Sequence, residues 1–113
     1  MAPGKAQEIR FVEDGLGAAN RWVEDNPKDV AIIVRFGAKT AVDPKVIVYW
    51  LQKDFADNGC SATHFLFERG AGGSAVGFVT RNHAWGPFSL ADSRKSVAET
   101  CKQHLFEVER GLN

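Results

Sequence analysis

Apolar residues recur along this chain with different periods, and each period predicts a different element. Ile9, Val12, Leu16, Ala19 and Val23 are spaced by three and four, which draws one stripe down a helix that Asn26-Pro27 ends. Gly15 and Gly17 lie inside that stripe, so a strand over residues 7–12 followed by a shorter helix stands as the alternative to one continuous helix. Residues 30–36 are β-branched and apolar at nearly every position, the pattern of a strand covered on both faces, inside the sheet or under the first helix. Asp43-Pro44 then opens a second helix, because an aspartate caps free amides and proline is tolerated at the first helical position. It runs to about Asp57, where Asn58-Gly59 supplies the stop. Ile47, Trp50, Leu51 and Phe55 form its core stripe; Val46, Val48 and Tyr49 fall outside it, and the N-terminal helix is expected to cover that side.

Residues 61–82 carry the strongest alternation, in two runs that flank Gly70-Ala71-Gly72-Gly73. Period two broken by a glycine cluster predicts a β-hairpin. A four-residue loop would set Phe67 opposite Val76, Phe65 opposite Phe78 and Thr63 opposite Thr80 on an apolar face. Glu68 opposite Ala75, Leu66 opposite Gly77, His64 opposite Val79 and Ala62 opposite Arg81 would share the other. That second face is bare at Ala75 and Gly77, and a strand glycine often marks the close approach of a backbone or ligand. Residues 83–88 can add a short third strand, which Pro87 confines to an edge. Ser89 or Asp92 caps a last helix with apolar positions Val97, Cys101, Leu105 and Val108, closed by Gly111. The expected fold is α+β in the order α-β-α-β-β-(β)-α, an antiparallel sheet of three or four strands with helices mainly on its Phe65, Phe67, Phe78 face. The chain is expected to be a single domain over residues 1–113, an N-terminal helix and strand over 5–37 preceding a unit over 43–110.

Composition narrows the function classes. With 14 basic and 14 acidic residues the chain has no net charge, so the overall basicity that accompanies binding to duplex nucleic acid is missing and any such footprint must be local. No apolar run reaches the roughly 18 residues that span a membrane, and the N-terminus lacks the apolar stretch of a secretion signal, so a cytoplasmic protein without membrane contact is expected. Cys60 and Cys101 are then expected as buried reduced thiols.

The sub-pattern α-β-β-β-α over residues 43–108 resembles a double-stranded RNA-binding domain. Asp43-Pro44-Lys45 opens the first helix of the unit, Leu51-Gln52-Lys53 continues it, Glu68-Arg69-Gly70 leads into the first loop, and Ser93-Arg94-Lys95 stands where that family places its basic cluster. The resemblance implies phosphate contacts from Arg94 and Lys95 across a groove, flanked by Arg69, Lys45 and Lys53. Gly73 and Ala98 fall where the family has its loop histidine and third basic residue. Such an altered member is expected to keep a face for binding proteins.

Candidate chemistry is sparse. Cys60, His64, Cys101 and His104 are metal-ligand types, but Cys60 and His64 would stand about 13 Å apart along a strand, so neither metal nor cofactor is expected. His64, Glu68 and Arg81 would share the second sheet face, where a small nuclease could use a base, a partner and a phosphate clamp. No serine elbow, phosphate loop or paired-carboxylate motif accompanies them. The expectation is therefore a small non-enzymatic binding or regulatory module that docks on a protein partner or self-associates, through apolar surface at Val48, Tyr49 and Trp85. RNA binding stands second and a nuclease-like enzyme third.

Overall fold

The computed structural model describes residues 10–37, 42–70 and 73–111. Among them the elements follow in the order α1 (Gly15–Asp25), β1 (Ala31–Phe36), α2 (Pro44–Asp57), β2 (His64–Arg69), β3 (Ala75–Val79), β4 (Ala84–Phe88) and α3 (Leu90–Glu109). This is the α+β class and the element order that the periodicities predict.

The strand pairing differs from the expected hairpin. The strands form one mixed sheet in the order β2-β1-β3-β4, with β1 parallel to β2 and antiparallel to β3, and β3 antiparallel to β4. β1 is therefore inserted between the two strands that the glycine cluster was expected to join. The rows survive the insertion: Phe67, Val34 and Val76 lie side by side, as do Phe65, Ile32 and Phe78, and Leu66, Ile33 and Gly77 on the opposite face. Each expected partner is thus two strands away in its own row. Gly70 shows how the connection passes β1, since its amide donates to the Phe36 carbonyl at 2.9 Å, at the end of that strand. Ala71 and Gly72 lie outside the described residues.

The two faces of the sheet carry different cores. Ile32, Val34, Phe65, Phe67, Val76 and Phe78 meet Ile47, Val48, Leu51 and Phe55 of α2 and Val97 and Cys101 of α3. Phe55 stands edge-on to Phe78 at 5.0 Å between ring centres. Val48 is only 2% exposed here, so it belongs to the core and not to a docking surface; α3 and the sheet cover α2, while the N-terminal helix packs on the other side. There Ala19 and Val23 of α1 sit over Ala31, Leu66 and Val79. β1, between two strands and between two helical layers, needed apolar side chains at nearly every position for that reason.

Three further features differ from the expectation. The first helix starts at Gly15 instead of Ile9, which lies outside the described residues, because residues 10–12 are extended and pair with the β2 edge: the Val12 amide donates to the Phe67 carbonyl at 2.7 Å. The expected cysteine thiols are joined as a Cys60–Cys101 disulfide with Cα atoms 5.9 Å apart, tying the end of α2 to the middle of α3. In the second half of α3 the buried face carries Thr100, His104 and Glu107 beside Cys101, while Leu105 is 40% exposed, and the end of the helix meets the turn after β3 through Glu107 and His83. β4 is a short edge strand as expected, with a register shift opposite Val76 and Phe78 and with Gly86 at a positive φ of 107° before Pro87.

Candidate functional site

Where α1 begins decides which part of the sheet stays open. Asp14 caps the helix through a 2.9 Å hydrogen bond from the Gly17 amide to Oδ1. Gly15 lets the chain press onto the sheet: a Cβ there would come within 2.8 Å of both Glu68 Oε2 and Ile33 Cγ2. The Gly15 amide donates instead to Glu68 Oε2 at 2.9 Å, so a carboxylate holds the positive end of the helix against β2. Glu68 is buried, and its other oxygen accepts from Arg35 Nε at 2.8 Å and from Nη2. Anchored in this way, α1 covers β1, β2 and the Val79 end of β3, and leaves the Ala75–Gly77 part of β3 and β4 uncovered on that side.

The uncovered half forms a groove of about 360 Å³. Ala75, Gly77, Val79 and Ala84 are its floor, Gly86 and Pro87 its far edge, and Glu13, Asp14 and Leu16 its near wall, with Ile33 and the Arg35–Glu68 pair between. Leu16 is 50% exposed on that wall. The bareness at Ala75 and Gly77, visible in the alternation, is thus the floor of an open cleft. Gly77 has room for no more than a tight methyl, since a Cβ would lie 3.3 Å from the Trp85 carbonyl oxygen.

The sequence candidates are dispersed around this groove. Glu68 lines it, as the anchor just described. His64 lies at the other end of β2, stacked on Trp22 with ring centres 4.4 Å apart; burial pushes its pKa below the ordinary histidine value and Asp29 partly opposes that. His64 and Glu68 stand four residues apart on one strand, about 13 Å. Arg81 is exposed in the turn after β3, so these three do not meet as base, partner and clamp. Trp85 lines the groove and also packs half-buried against the main core, and Tyr49 is exposed on α2.

The basic residues are divided as well. Arg94 forms a two-pronged pair with Asp54 at 2.8 and 3.2 Å, over the Trp50 ring, and the hydrogen bond it donates to Asp54 raises its pKa. Lys53 bonds Asp57 at 2.8 Å, which raises its pKa likewise. Lys95 is exposed beside Arg94 in a shallow depression that also holds Asp54 and Asp57. Arg69 lies over the Phe11 ring at the β2 edge, and Lys45 is exposed in the first turn of α2. Phosphate binding at this cluster would have to displace carboxylates already in place.

A polar cluster escaped the sequence reading. Glu107 is buried and accepts from His83 Nδ1 at 3.0 Å, from Gln103 at 2.9 Å and from Asn82 at 3.5 Å. Burial pushes its carboxyl pKa up, but the hydrogen bonds from Gln103, Asn82 and His83 outweigh that and leave it below the ordinary glutamate value. The cluster pins the β3–β4 turn to α3. Asn82 and His83 lie more than twenty positions from Glu107, and no local period links a turn histidine to a helix glutamate. Among the described residues no group of three or more histidine, cysteine or carboxylate side chains could hold a metal ion, and the disulfide takes both cysteines. No helix there is long and apolar enough to cross a membrane.

No family model, curated protein or solved structure matches the chain. The site therefore stands on its own geometry.

Proposed function

We propose that the protein is a non-enzymatic binding module that takes a protein partner in the groove on the α1 side of its sheet. One observation carries the reading: the sheet is covered completely on one face and only halfway on the other, and the open half has a floor of small residues beside a half-exposed leucine. A preformed concavity with an apolar floor and a few polar groups at its margin is the general form of a binding site. The test is affinity capture with the wild type and with Ala75→Trp, which fills the floor without touching the main core. A specific partner held by the first and lost by the second, both folded by circular dichroism, supports the reading. Capture that Ala75→Trp leaves intact overturns it. Duplex RNA, titrated at two salt concentrations with and without Arg94→Ala/Lys95→Ala, tests the rival: RNA affinity that falls with a slope of about −0.7 to −0.9 per phosphate contact and is lost in the double variant would replace the protein reading.

A further inference from the structure

Resting on that reading, we infer that the groove takes a cationic segment of a partner protein, one in which a lysine or arginine stands among apolar residues, and that it binds this segment by its side chains on the sheet face and not as an added strand. The mode follows from the edges. At one edge, β2 is paired with residues 10–12, where the Phe67 amide donates to the Arg10 carbonyl at 3.3 Å and the Phe67 carbonyl accepts from Val12 at 2.7 Å. At the other, β4 carries Pro87, which has no amide to donate, and a register shift that interrupts the ladder. Strand addition needs a regular free edge, and neither edge offers one over its length.

The sign of the partner follows from the lining. Its charged groups are Glu13, Asp14, Glu68 and Arg35. Arg35 and Glu68 are paired, with both the Nε and Nη2 donors of the guanidinium directed to one carboxylate oxygen, so the charge of the half-exposed cation is balanced inside the site. Glu13, together with Asp14, whose Oδ1 also caps α1, leaves a negative margin beside Leu16. Lysine and arginine carry an apolar stem below a charged head, which matches an apolar floor below an acidic margin. Like charge against that margin penalises an acidic segment, and complementarity of this kind selects partners more than it adds affinity.

Short random peptides displayed on phage are the probe, selected on the wild type and counter-selected on Ala75→Trp, with Ala75→Lys as the second floor variant should the tryptophan prevent folding. The expected result is a set of peptides rich in lysine or arginine next to aliphatic residues, lost on either floor variant. The synthetic form of the best one should bind Glu13→Lys about three- to tenfold more weakly and lose affinity as salt rises. Peptides that depend on the floor but are neutral or acidic overturn the cationic inference and leave the binding groove standing. The absence of any floor-dependent peptide overturns both. Sedimentation that finds a wild-type dimer and an Ala75→Trp monomer makes the occupant a second copy, and also overturns the inference.

Discussion

The two faces of the sheet were built by the same four strands and ended in opposite states. On the α2–α3 face every row ends under a helix, and Phe55, Phe67 and Phe78 are fully buried. On the α1 face an 11-residue helix is held at one end by Glu68, reaches only the Val79 end of β3, and leaves the rest of β3 and β4 open. One face is core because two helices, tied by a disulfide, close over it; the other is half surface because a single helix cannot span four strands. Four strands at about 4.8 Å spacing make a sheet about 19 Å wide, and a helix with its side chains is about 10 Å across, so a single helix covers about half of that face and the rest is left as the groove.

The largest effects should appear on the closed face. Phe78→Ala should cost about 3–5 kcal/mol and leave little folded protein, since it empties a site buried on all sides. If it melts within a few degrees of the wild type, the closed face is not the core. Reducing the Cys60–Cys101 bond, whose partners are 41 positions apart, should remove about 3–4 kcal/mol by releasing the unfolded chain. The midpoint of denaturant unfolding should fall with reductant in the wild type and not in the Cys60→Ala/Cys101→Ala variant.

The α1 anchor should come next. Glu68→Ala leaves the buried Gly15 amide without its acceptor and should cost about 1–3 kcal/mol. Hydrogen exchange should rise in α1 and stay protected in α2; equal loss in both would show that the two faces do not come apart.

Acid should act through two groups. The folded-state pKa of His64 is depressed, so the unfolded chain takes up the proton first, and stability should fall as pH drops through the ordinary histidine value until the folded His64 also titrates. The folded-state pKa of Glu107 is also depressed, and its contribution, present above the ordinary glutamate value, should be lost as pH falls through its lower folded value. Urea unfolding across pH should show both slopes. His64→Gln should flatten the first and Glu107→Gln the second; an unchanged profile in either variant would remove that group from the account.

The smallest effect belongs to the groove. Leu16→Ser should change stability by no more than about 0.5 kcal/mol, because the side chain is half exposed, yet it should weaken any groove ligand. A large loss of stability would mean that Leu16 is core and the cleft closed.

Most elements could be read from local periods, because each is held by rules that act over a few residues. Asp43-Pro44 opened α2, Ser89 capped α3 at the Asp92 amide, Pro87 kept β4 short, and the apolar run of β1, interrupted by Arg35, announced a strand covered on both faces. Period two also placed Phe65, Phe67 and Phe78 on the core face and Ala75 and Gly77 on the open one. What it could not reveal was the strand between them. Alternation assigns residues to faces and rows, and inserting β1 preserves both, so a hairpin and a three-strand row carry the same pattern. Only the path of the chain through α2, which returns β2 parallel to β1, decides between them. The groove, the Arg35–Glu68 pair, the Cys60–Cys101 bond and the His83–Glu107 cluster share that origin: each joins residues tens of positions apart, and their meeting depends on which surfaces pack in three dimensions.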